Sequence, residues 1–114
     1  MMMENLSRLG SGPPLSLEVR DRKGKLVRTV VVPEARLVAF LKALDSVGGQ
    51  GLGPIDLYGD TTLSHERCKL ALDSCRQALA SMSEPDAVKC GEAIVGVVAE
   101  VAANASRNLF VIGN

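Results

Sequence analysis

The chain reads as an α+β fold in which an antiparallel β-hairpin and a C-terminal strand pack against three helices, in the order ββαααβ. Three observations predict it. Leu15, Leu17 and Val19 alternate with Ser16, Glu18 and Arg20, the period of a strand with one buried face. Apolar residues then recur at helical spacing in three blocks between Pro33 and Ala105, and the last apolar run, Leu109-Phe110-Val111-Ile112, has the length of a strand. With 114 residues the chain suits one core, so we expect a single domain over 15–114.

Residues 1–14 are polar, rich in glycine and end in Gly12-Pro13-Pro14, which predicts a flexible N-terminal leader that joins the fold late. After the first strand, Asp21-Arg22-Lys23-Gly24 suits a hairpin turn, because Gly24 can take a left-handed conformation. The local basic tip that results, through Lys25, could meet an acidic partner, but a solvated turn explains it with fewer assumptions. Leu26 to Val32 is rich in β-branched valine and forms the second strand. Its apolar residues fall on both faces, so a cover is expected there.

Pro33-Glu34-Ala35 opens the first helix, with proline in the first turn and an acid at the positive end of the dipole. Leu37, Phe40, Leu41 and Leu44 form its buried stripe, and Gly48-Gly49 ends it. The second helix starts near Leu63, capped by Asp60, Thr61 or Thr62, and runs to about Ala80 with His65, Cys68, Leu72, Cys75 and Leu79 in one stripe. Ser83-Glu84-Pro85-Asp86 then reads as a cap and first turn for a wide apolar helix to about Ala105. Gly91 and Gly96 inside it suggest close approach of a neighbouring backbone.

Composition narrows the function. Thirteen basic residues balance thirteen acidic ones, and Phe40, Tyr58 and Phe110 are the aromatic side chains. The charge balance argues against a nucleic-acid partner, and so few rings argue against a stacking platform. No apolar run reaches the roughly 20 residues of a membrane span, and the first residues lack the basic-then-apolar order of a secretory signal. Cys68, Cys75 and Cys90 are an odd count in apolar or amphipathic segments, which suits reduced thiols, buried as small hydrophobes, in a cytoplasmic protein.

The densest local signal is Ile55-Asp56-Leu57-Tyr58-Gly59-Asp60-Thr61-Thr62. It places two carboxylates beside the only tyrosine, after a flexible approach with four glycines between Gly48 and Pro54. If Tyr58 is exposed, the loop has the composition of an interface anchor and rim, with Asp56, Tyr58 and Asp60 toward a partner and Gly59 and Thr61 shaping the loop. Asp56 and Asp60 are also oxygen donors suited to Mg²⁺ or Ca²⁺, as in a metal-dependent enzyme, although two carboxylates are too few alone. A third use is structural, with Asp56 tying down the loop and Asp60 capping the helix.

His65 and Cys68, three apart on a helix, raise a zinc reading or a nucleophile and base pair. Cys75 lies roughly 10 Å further along the axis, too far to join them on one ion. No nucleophile elbow, phosphate-binding loop or Cys-x-x-Cys occurs. Gly48-Gly49-Gln50-Gly51-Leu52-Gly53 follows a helix, whereas a dinucleotide loop follows a strand. No cofactor is implied.

The run Asp56-Leu57-Tyr58-Gly59-Asp60-Thr61, with the closing Leu109-Phe110-Val111-Ile112-Gly113-Asn114, resembles a group of small uncharacterised bacterial proteins. Their motif reads approximately Asp-Pro-Tyr-Gly-Asp-Thr, and their last strand tends to end in Gly-Asp. Leu57, Leu63 and Asn114 depart from that pattern. The resemblance implies this fold and an accessory or immunity role, in which the chain binds and neutralises a partner such as a toxin without catalysis. A structural homo-oligomer, packed through the glycine-bearing helix, is the remaining expectation.

Overall fold

Five strands and three helices are seen in a computed structural model that describes residues 2–113. The strands are β1 (Met2–Asn5), β2 (Pro14–Arg20), β3 (Leu26–Pro33), β4 (Asp60–Leu63) and β5 (Asn108–Ile112). The helices are α1 (Glu34–Val47), α2 (His65–Ala80) and α3 (Pro85–Ala102), and a short 3₁₀ turn spans Ser7–Leu9. The α+β class and the β2–β3 hairpin match expectation. The element order does not, because β1 and β4 are additional and the sheet runs β1-β3-β2-β5-β4.

Only β1 lies parallel to its neighbour, β3; the other pairs are antiparallel. The alternation in β2 works as read. Leu15, Leu17 and Val19 are fully or almost fully buried and sit opposite Val32, Val30 and Arg28 of β3. Across β5, Leu17 meets Val111 and Val19 meets Leu109, so one continuous apolar face spans the central strands. Burying each such side chain contributes about 1.5–3 kcal/mol relative to leaving it in water. The helices gather on this face: α3 rests on β2, β3 and β5, α1 on β3, and α2 packs on α1 and α3.

The segment read as a loose leader is part of the fold. Its residues 2–5 pair with Arg28–Val31, Leu6 is buried and its N–H donates to the Val31 carbonyl at 2.7 Å. Helix α1 explains why. Pro33 is its N-cap and offers no side-chain acceptor, so its unpaired first amides need other partners. The carbonyls of Pro13 and Ser11 accept from the N–H groups of Glu34 and Ala35. Arg36 adds a clamp, donating from Nε to the Leu9 carbonyl and from both Nη atoms to the Glu84 carboxylate.

Two helix caps also differ from expectation. Asp60, Thr61 and Thr62 form β4 opposite Ile112, Val111 and Phe110, and the α2 cap is Ser64, whose hydroxyl accepts from the Arg67 N–H. A strand needs their backbone groups for β5, which leaves the cap to the next residue. The α3 cap is Glu84 and not Ser83, without a side-chain bond, and the helix ends at Ala102.

The buried stripe of α2 is Cys68, Ala71, Ser74, Cys75 and Ala78; these small residues let the helix sit close to α3. Gly91 and Gly96 make room for side chains instead of a backbone. A methyl group at Gly91 would lie 2.9 Å from Leu79 Cδ1, and one at Gly96 would lie 3.2 Å from Arg28 Nη2. Arg28 thus reaches over α3 to pair with Glu100 at 3.3 Å. Among the described residues no helix is long and apolar enough to cross a membrane.

Candidate functional site

The Tyr58 turn sits at the end of the sheet where β5 closes and β4 begins. Its shape comes from short-range hydrogen bonds. The Asp56 carboxylate accepts from the Tyr58 N–H at 2.9 Å, an Asx-type turn. The Thr61 hydroxyl accepts from the Asp56 N–H, also at 2.9 Å, and so joins the start of the turn to β4. A third bond runs from the Gly113 N–H to the Gly59 carbonyl at 2.8 Å, which fastens the turn to the end of β5.

Gly113 is the position sequence reading missed. A methyl group there would fall 2.5 Å from the carbonyl oxygens of both Leu57 and Gly59, well inside contact distance, so only glycine lets the two backbones meet. A glycine directly after an apolar strand was the available signal. Gly59 is constrained in the same way from the other side, since a methyl group on it would lie 2.6 Å from the Asp56 carboxylate. Asn114, the last residue of the sequence resemblance, lies outside the described residues.

The turn's backbone is fixed while its ring projects into water. Tyr58 is 77% exposed, the largest exposure of any big apolar side chain described. Asp56 and Asp60 are exposed beside it, and Thr61 is half-buried. Of the predicted site residues, then, Asp56, Gly59 and Thr61 shape the turn, and Tyr58 and Asp60 are presented. Asp56 takes the structural role offered for it, and Asp60 does not cap α2.

Upstream, the same loop walls a cleft of about 480 Å³ between the end of α1 and the start of α2. Leu41, Leu44, Leu52 and Ile55 line it, with Asp45 and Arg67 among its charged residues. Leu52 is buried and anchors the glycine-rich approach. Arg67 donates to the Gly51 carbonyl at 3.4 Å. Apart from Ile55, which opens the Tyr58 motif, these cleft residues carried no sequence signal for a site, because α1, α2 and the loop meet only in the folded chain.

The metal and nucleophile readings have a different outcome. Among the described residues no group of three or more His, Cys, Asp or Glu side chains converges as a metal site would require. The imidazole Nδ1 of His65 lies 2.8 Å from the Val101 carbonyl, to which it must donate, so the ring ties α2 to the last turn of α3. Cys68, Cys75 and Cys90 are free thiols and buried. Burial pushes the Cys68 thiol up to about 12 and the Cys75 thiol up to about 11, the reverse of an activated nucleophile. Comparison with protein-family models, curated proteins and solved structures finds no match to this chain.

Proposed function

We propose that the chain is a non-enzymatic binding protein of the cytoplasm that covers a protein partner through the Tyr58 turn, as an immunity or accessory protein neutralises a toxin. The observation that carries this reading is an exposed tyrosine on a backbone held by three hydrogen bonds. A large ring on a mobile loop loses entropy when it is covered; on a fixed turn little is lost, and its area is available for binding. Tyrosine is enriched among residues that dominate interfaces. Asp60 and Asp56 give the rim a negative field, which favours fast encounter with a basic surface. The sequence resemblance to small bacterial proteins points the same way.

The partner would be sought by affinity capture from the cell's own extract with the wild-type chain, beside Tyr58→Ala and Asp60→Lys. Both substitutions lie on exposed side chains, so each variant should fold. The identified partner should bind Tyr58→Ala weaker by about 30- to 1,000-fold, the equivalent of about 2–4 kcal/mol for a central anchor. Equal affinity for all three proteins would remove the turn from the interface.

A further inference from the structure

We propose that the tip of the β2–β3 hairpin, together with Arg107, is a binding site for a tetrahedral oxyanion of the phosphate class. This end of the molecule is far from the Tyr58 turn: Arg20 pairs with Asn108 at one end of β5, and Asp60 with Ile112 at the other. The inference is therefore independent of the proposed partner surface.

The first observation is an orphaned donor. Arg107 Nε is shielded from solvent and has no hydrogen-bond partner among the described residues. Buried polar groups are nearly always paired, and one on a charged guanidinium is especially costly to leave alone. Arg107 lines a cavity of about 340 Å³ with Asp21, Lys25, Leu26 and Val27. A second cavity of about 410 Å³ is lined by Asp21, Arg22, Lys23 and Ser106. Asp21 is common to both, so the two flank one turn.

The second observation is how the turn's charges are committed. Asp21 Oδ1 accepts from the N–H groups of Lys23 and Lys25, each at 2.9 Å. Those bonds, the Lys25 amide first, hold the Asp21 carboxyl below its usual range and spend its charge on the backbone. Arg20 is likewise occupied: Nε and Nη2 bind Glu18, and Nη1 donates to the Gly24 carbonyl. Arg22, Lys23, Lys25 and Arg107 then stand four to one against Asp21 around the two cavities. The turn's backbone is hydrogen-bonded to Asp21 and the surplus charge is positive.

A tetrahedral dianion suits this arrangement, since its several acceptor oxygens can serve the Arg107 guanidinium and the Lys25 ammonium that line one cavity, with Arg22 and Lys23 adding positive field from the other side of the turn. The group would be either free phosphate or a phosphate ester. Inorganic phosphate is the probe. In NMR spectra recording the arginine Nε–H and backbone amides, potassium phosphate should shift Arg107 Nε–H and the Lys23 and Lys25 amides saturably. Potassium chloride at matched ionic strength should not. Arg107→Lys, which keeps the charge and loses the fork, should weaken binding at least tenfold, and the exposed pair Arg22→Gln with Lys25→Gln should do so even if Arg107→Lys unfolds. Parallel titrations with a nucleoside monophosphate and with O-phosphoserine identify the source, as the tightest binder of the three. Equal shifts with chloride, shifts spread evenly over distant cations such as Lys42 and Lys69, or undiminished binding by the variants would overturn the site.

Discussion

Gly113 and Asp56 hold the Tyr58 turn from opposite sides, and single substitutions separate their contributions. Gly113→Ala drives a methyl group against the Leu57 and Gly59 carbonyls, which are backbone and cannot rotate aside. The expected cost is about 1–3 kcal/mol, the range for overpacking, measured as a lower urea midpoint with unchanged slope. Exchange of the amides from Leu57 to Thr61 should rise more than the global change accounts for. Asp56→Ala removes the acceptor of the Tyr58 N–H and should cost about 1 kcal/mol. Asp56→Asn keeps an oxygen in the same place and should cost much less. Equal losses for Ala and Asn would mean that the carboxylate charge, not the turn hydrogen bond, shapes this loop.

At the scale of elements, the N-terminal segment is the unexpected support. A chain beginning at Pro13 would lose the burial of Leu6 and the Ser11 acceptor for the first turn of α1, together about 3 kcal/mol by burial and capping magnitudes. The reading fails if thermal unfolding of the shortened chain matches that of the full one. The Arg36 clamp adds a pH signature. Its side-chain hydrogen bonds hold the Glu84 carboxyl below the ordinary carboxylate range, so the stability it contributes is complete above about pH 4.5, the unfolded value, and is lost as pH falls through the lower folded value. Arg36→Gln should flatten that part of the acid unfolding curve and leave the neutral region lower but parallel. The sequence could not announce β1, because all four of its residues are exposed and a strand that buries no side chain leaves no alternation to read. In β4 the signal was present and ambiguous: Asp and Thr oxygens favour a helix cap as strongly as threonine branching favours a strand. Where burial is one-sided, as in β2, α1 and α3, the periodicity identified the element directly. The same divide runs through the site, where Asp56, Tyr58, Gly59 and Thr61 are neighbours in sequence, whereas Gly113, Asp45 and Arg67 reach the site only by tertiary packing.

At the scale of the molecule, balanced net charge conceals two opposed ends, with Asp56 and Asp60 by the Tyr58 turn and four cations around the hairpin tip. Between them lies a core whose ionisable members are thiols, which gives a whole-molecule prediction. Burial raises the Cys68 thiol to about 12, with the Cys75 charge adding to it, and the Cys75 thiol to about 11; burial also raises Cys90. In the unfolded chain the same thiols ionise near their usual value of 9.0. The folded state therefore holds protons that the unfolded state releases as pH rises. Its thiol-linked stability is complete below about pH 9 and is lost from there upward through 11 and 12. Urea midpoints at pH 7.5, 9.5 and 10.5 should fall more steeply for the wild type than for Cys68→Ala with Cys75→Ala, since lysine and tyrosine titration is common to both. The double variant starts lower at pH 7.5 by about 1 kcal/mol per site for the lost side-chain volume, and the two curves should converge as alkali is added. Parallel curves would mean that the thiols ionise equally in both states, and so that water reaches the interface between α2 and α3.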